Sequence, residues 1–167
     1  MTDMPRIAPA TEHSVVHSTF VIERVLNASP ERVFTAFADP EIKARWFGGP
    51  EEWETTEASM DFRVGGKEVD IGGPKGGPHS AFRATYLNIV PNERIIFAYD
   101  MDIDGVPISV SVTTIELKRE GTQTRLVFTE QGAYLDAFDE PQMREHGTRE
   151  ILDQLVKEID RQVAAGE

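Results

Sequence analysis

Ser29–Pro50 reads S-P-E-R-V-F-T-A-F-A-D-P-E-I-K-A-R-W-F-G-G-P, and Asp61–Gly66 follows with D-F-R-V-G-G. The first stretch holds two helix starts written in the same way. Ser29 precedes Pro30 and Glu31, and Asp39 precedes Pro40 and Glu41. A short oxygen-bearing side chain at the N-cap accepts from free N–H groups of the first turn. Proline at the next position sacrifices no bond, and a carboxylate complements the positive end of the helix. Val33, Phe34 and Phe37 share one face of the first helix, and Ile42 and Trp46 are four apart in the second. Gly48 and Gly49 end it. Gly65 and Gly66 are expected to kink a strand over 61–71 and so curve a sheet.

Working outward, residues 17–27 are β-branched and partly alternating, which predicts a first strand. Beyond Glu52 the apolar period changes to two. Strands are predicted over 52–59, 61–71, 79–90, 94–103, 107–118 and 123–130. The glycine- and proline-rich run 72–78 reads as a flexible loop, with tight turns at Pro91-Asn92, Asp104-Gly105 and Glu120-Gly121. Segment 94–103 alternates without a break through Ile95, Phe97, Tyr99, Met101 and Ile103. In 107–118 the apolar face begins at Ile108, Val110 and Val112 and moves to Ile115 and Leu117, which predicts a bulge or bend near Thr114.

The last segment is helical from about Asp139 and Pro141. Met143, Gly147, Ile151, Leu155, Ile159 and Val163 recur at helical spacing, widened by Leu152 and Val156. Strands joined by short turns pair antiparallel, and one face of their sheet needs cover. The result is an α+β fold. A curved antiparallel sheet of about six to seven strands wraps on a long C-terminal helix, with two short helices after the first strand. Residues 1–16 are expected to form a flexible arm, 17–163 a single domain and 164–167 a tail.

Composition sets the outer bounds. The 167 residues are 40% hydrophobic and 28% charged, as in ordinary soluble domains. The chain has no Cys, which excludes disulfides, thiolate zinc sites and a cysteine nucleophile. No apolar run approaches the ~20 residues that span a bilayer, and the N-terminus lacks a basic-then-apolar signal pattern. A cytoplasmic location without a membrane partner is expected. The formal net charge of −12 argues against nucleic acid, whose affinity rests on Lys and Arg contacts to phosphates.

The element order and motifs resemble the START-like, or Bet v 1-like (SRPBCC), superfamily with its helix-grip fold. The nearer resemblance is to the bacterial branch similar to the C-terminal domain of the activator of Hsp90 ATPase. It rests on A-S-P-E-R-V-F-T-A-F at 28–37, D-P-E-I-K-A-R-W-F-G-G-P at 39–50, D-F-R-V-G-G at 61–66, V-P-N-E-R-I at 90–95 and G-T-Q-T-R-L at 121–126. It covers roughly residues 18–163. The resemblance implies a cavity between sheet and long helix that holds an apolar or amphipathic small molecule. Some superfamily members are cyclases or hydrolases. No catalytic set is shared across the branch, so none is carried over. The eukaryotic activator has a separate N-terminal domain that contributes to chaperone binding. This sequence shows no counterpart, so an Hsp90-type partner is not expected.

Other motifs have plainer readings. Asp100-x-Asp102-x-Asp104-Gly105 imitates a calcium loop, but Ser111 stands where a bidentate Glu is needed and strands flank it. The glycines of 72–77 lack a phosphate-loop ending and a following helix. His13, His17, His79 and His146 show no metal-ligand spacing, so no metal and no cofactor are expected. Arg24 and Arg63 are expected to bridge carboxylates, or to face a ligand acid.

The aromatic inventory is the better lead. Trp46, Phe62, Phe82, Phe97, Tyr99, Val110, Phe128, Tyr134, Met143, His146, Gly147 and Ile151 are the candidate pocket residues. Gly147 removes volume where a larger side chain would fill it, and Tyr99 and Tyr134 each offer a hydroxyl to orient a ligand. The first expectation is therefore a small-molecule-binding protein with no catalytic residue assigned. The alternatives are a cyclase- or hydrolase-type enzyme using His146 or a tyrosine as acid or base, and a chaperone-regulating interaction protein. An exposed strand or the helix 139–163 leaves room for a homodimer.

Overall fold

The computed structural model describes residues 7–167. Of the expected N-terminal arm, residues 1–6 lie outside the described residues, and 7–14 run irregularly into the first strand. The elements follow as β1 (Val15–Leu26), α1 (Pro30–Ala38), α2 (Pro40–Trp46), β2 (Glu54–Met60), β3 (Lys67–Gly73), β4 (Ser80–Val90), β5 (Arg94–Ile103), β6 (Val106–Glu120), β7 (Gln123–Leu135) and α3 (Pro141–Ala165).

Both helix starts form as their sequence demands. Ser29 Oγ accepts from the Arg32 N–H at 3.3 Å. Asp39 closes one helix and opens the next: its N–H donates to the Thr35 carbonyl, and its carboxylate accepts from Glu41 N and Ile42 N. The seven strands make one antiparallel sheet in the order β1-β7-β6-β5-β4-β3-β2. β1 and β2 are thus opposite edges, and the chain between them must cross the width of the sheet. The pair α1–α2 makes that crossing, and α3 packs against β1, α1 and α2. Sheet and α3 bury Ile22, Leu126, Ile115, Leu152, Leu155 and Ile159 between them.

Three local predictions change. Asp61–Gly66 is a tight turn before β3 rather than a strand kink. The Asp61 N–H donates to the Lys67 carbonyl and the Gly66 N–H to the Arg63 carbonyl. A Cβ at Gly66 would stand 1.9 Å from the Asp61 carbonyl oxygen, so only glycine fits. Gly72 and Gly73, read as loop, belong to β3.

The third change moves side chains from one face to the other. No bulge occurs at Thr114, because β6 pairs with β7 without interruption from Ser109 to Glu120. The irregularity lies earlier: Met101 pairs with Ser109 while Asp102 pairs with Pro107, which leaves Ile108 as the extra residue. Ile108 and Ser109 are both buried, and the inward set then runs Ser111, Thr113, Ile115 and Leu117. Val110 is 52% exposed on the outer face. A bulge of one residue inverts the faces beyond it, and here it brings hydroxyls rather than valines inside.

Helix α3 shows the same preference. Its buried residues are Thr148, Leu152, Leu155, Glu158, Ile159 and Gln162. The inward stripe is rotated away from Met143, Gly147 and Val163.

Candidate pocket with a buried polar end

A pocket of about 440 Å3 lies between the concave face of the sheet and α3. Phe82, Phe97, Tyr99 and Phe128 line it from the sheet, Trp46 from α2, and Ile151 and Leu152 from α3. Phe82 and Tyr99 stand with ring centroids 4.8 Å apart, and Phe97 and Tyr99 6.0 Å apart. The exposed chain around Phe47–Thr55 borders the pocket.

Glu130 and Arg144 form its polar end. Glu130 is inward on β7 by the same alternation that points Leu126 and Phe128 inward, and it is 2% exposed. Its Oε1 accepts from Tyr99 and Thr113 hydroxyls, both at 2.9 Å. Arg144, one turn into α3, donates to the Tyr99 oxygen at 2.8 Å, to Ser109 at 2.7 Å and to Asp139 at 2.5 Å. Its guanidinium also lies over the Tyr99 and Tyr134 rings. From Arg144 Nη1 to Glu130 Oε2 is 3.9 Å, an ion-pair distance too long for a hydrogen bond.

Burial dominates the electrostatics here. Desolvation pushes the Glu130 carboxyl above its ordinary range, against the pull of Arg144 and the two hydroxyls. Burial, then the nearby Glu130 charge, pushes Tyr99 upward and Tyr134 up to about 12. Burial works against the charge on Arg144, but Tyr99, Asp139 and Glu130 outweigh it and hold the guanidinium charged.

A second ionic cluster stands on the same face. Lys43 of α2 donates to Glu68 Oε1 at 2.6 Å, and Tyr86 donates to the same oxygen. Lys43 also lies 4.6 Å from the centre of the Phe47 ring. Burial lowers the Lys43 pKa while Glu68 opposes it. Asp70 is raised by burial and then by Glu68. Lys43 and Asp70 touch the pocket, and Glu68 does not.

Of the residues picked from sequence, Trp46, Phe82, Phe97, Tyr99, Phe128 and Ile151 line the pocket. Tyr134 stands behind Arg144, and Phe62 packs on Phe34 and Tyr86. Val110 faces outward, and Met143 is 63% exposed. Gly147 does not line the pocket. The His146 side chain is 70% exposed and pairs with Glu150 at 3.1 Å, so it cannot serve as acid or base inside. Arg24 binds Asp153 of α3 and Arg63 binds Asp61, both away from the lining.

Sequence reasoning missed Glu130, Arg144, Ser109, Thr113, Lys43 and Asp70. A signal existed for Glu130. The alternation Thr124, Leu126, Phe128 continues through Glu130 and Gly132 to Tyr134, and stopping the strand at 130 hid it.

A long helix gripped by a curved antiparallel sheet, with a pocket between them, defines a START-like domain of the SRPBCC superfamily. The model of the family described as "Activator of Hsp90 ATPase homolog 1-like protein" matches residues 27–160, and the chain belongs to that family. Among solved structures it is similar to a putative uncharacterized protein from Rhizobium leguminosarum, at 41% identity and a TM-score of 0.86, covering 90% of this chain and 99% of that one. It is also similar to the Mll3558 protein from Rhizobium loti, at 48% identity and a TM-score of 0.81, covering 87% and 99%. An Aeromonas hydrophila protein of the same family aligns at 25% identity and a TM-score of 0.66, covering 89% and 94%. No curated protein matches. No helix among the described residues is long and apolar enough to cross a membrane.

Proposed function

We propose that this protein binds one small amphipathic molecule in the pocket between its sheet and α3. The observation that carries the reading is the composition of the pocket wall. Aromatic and aliphatic side chains make its body, and a buried polar group closes one end. Small-molecule sites commonly combine apolar walls with a few fixed polar groups, in volumes of about 300–1,000 Å3. The volume of about 440 Å3 falls within that range. Membership of the SRPBCC superfamily supports the same reading.

The test is native mass spectrometry of protein purified from its own host, followed by thermal-shift screening with small apolar acids, sterols and aromatic polyketide-like compounds. A retained mass, or a melting temperature that climbs with ligand concentration as linkage requires, is the expected result. No retained species and no shift with any compound would overturn the proposal.

A further inference from the structure

Resting on that reading, we infer that the ligand carries a neutral hydroxyl group, and that Glu130 Oε2 is the atom that accepts its hydrogen bond. Three observations lead there.

The first is an open valence. Glu130 Oε1 already accepts two hydrogen bonds, whereas Oε2 is buried and accepts none. Buried polar atoms are nearly always partnered, because an unmet one bears its full desolvation cost. Glu130 belongs to the pocket wall, so its carboxylate stands at the end of the space a ligand would fill.

The second is that Arg144 and the two hydroxyls on Oε1 are committed elsewhere, and no other neighbouring hydroxyl is bonded to Oε2. Arg144 spends its near nitrogens on Tyr99, Ser109 and Asp139 and stays 3.9 Å from Oε2. The Tyr99 and Thr113 hydroxyls serve Oε1. The Tyr134 hydroxyl, like that of Ser111, is buried without a partner and is not bonded to Oε2. The Tyr134 ring lies over Gly132, where a Cβ would come within 2.8 Å of it. Glycine at that position gives the ring its place beside Glu130.

The third is charge. Arg144 already faces two carboxylates, Asp139 and Glu130. A ligand anion would meet both. A ligand ammonium would have to enter beside the guanidinium and give up its hydration. A hydroxyl supplies the missing donor and adds no charge. The ring-lined wall of Phe82, Phe97 and Tyr99 suits a flat body behind that hydroxyl.

Matched probes separate this inference from the broader reading. Binding of naphthol, methoxynaphthalene, naphthalene, naphthoate and naphthylmethylamine is measured by calorimetry at about pH 8, on the wild type and on Glu130→Gln. In the wild type, naphthol should bind about tenfold or more tightly than its methyl ether and the other three. In Glu130→Gln the amide oxygen keeps Tyr99 and Thr113, and an NH2 donor replaces Oε2. Alcohol and ether can both accept from it, so the preference should shrink to about twofold or less.

Lowering the pH supplies a second readout that needs no variant. Glu130 is faced by Tyr99 of β5, Thr113 of β6, Tyr134 of β7, Arg144 of α3 and Asp139 before it, with Ser111 of β6 beside Tyr99. Oε2 is the oxygen left free to take a proton. Protonation turns the acceptor into a donor, so the preference for naphthol over its ether should narrow as the pH is lowered in the wild type. If all five probes bind the wild type alike, or if naphthoate or naphthylmethylamine binds best, the hydroxyl inference is wrong and the pocket reading survives. Naphthol preference retained in Glu130→Gln would remove Glu130 from the role. No binding by any probe would overturn both.

Discussion

Two buried carboxylates stand on the concave face of one sheet, and they are used differently. Glu68 on β3 and Glu130 on β7 each accept from a tyrosine of a central strand, Tyr86 and Tyr99. Each faces a cation carried by a helix, Lys43 on α2 and Arg144 on α3. Glu68 is closed. Lys43 is in direct contact at 2.6 Å, and Tyr86 donates to the same oxygen. Glu130 is open, with its cation 3.9 Å away and one oxygen unmet. A directly bonded buried pair anchors α2 to β3. An unsatisfied one is tolerated where a ligand can complete it. On the proposed reading, the same chemical parts serve structure in one place and recognition in the other.

The largest expected effect breaks the closed cluster. Lys43→Met leaves Glu68 buried without its cation, and stability by urea unfolding should fall by about 3–5 kcal/mol. A loss under about 1 kcal/mol would mean the pair anchors nothing. Tyr86→Phe removes one charge-assisted bond from the same carboxylate, so its loss should be smaller, about 1.5–3 kcal/mol.

The open cluster should reveal itself through pH. A carboxyl whose pKa is raised in the fold opposes folding once it ionises. Its contribution is fully present below the ordinary carboxylate range and is lost as pH rises toward the raised value. Glu130→Gln removes that titration, while the raised Asp70 remains in both proteins. The stability of the wild type relative to Glu130→Gln should therefore decline as the pH rises above the ordinary carboxylate range. A flat difference across that rise would show that Glu130 titrates normally.

The smallest effects belong to residues that the sequence placed in the pocket and the fold places outside. His146→Ala and Val110→Thr should each change stability by about 0.5 kcal/mol or less and leave probe binding unaltered. A large binding effect from either would contradict the positions described.

The frame of the molecule was legible because its signals are local. Serine–proline and aspartate–proline starts, strict alternation from Ile95 to Ile103 and the Asp104-Gly105 turn each act within a few residues. The aromatic wall followed from the same alternation. The polar end did not, for a different reason. Ile108 is an extra residue only by comparison with β5, a fact of pairing that no window on β6 contains. Arg144 and Thr148 lie outside the apolar stripe read from the sequence, yet Glu130, Ser109 and Asp139 give Arg144 an inside to face. Buried ionic partners lie far apart in sequence, so neither signals the other.

On the proposed reading, the space between sheet and α3 takes the ligand, with Glu130 at its end. Methyl NMR during a titration with naphthol tests it most directly. Saturable shifts at Ile115, Met101, Ile151 and Leu152, with Val21, Val25, Val110 and Val112 unmoved, are the predicted result. Shifts confined to those outer valines, or no saturable shift at the four inner residues, would contradict it.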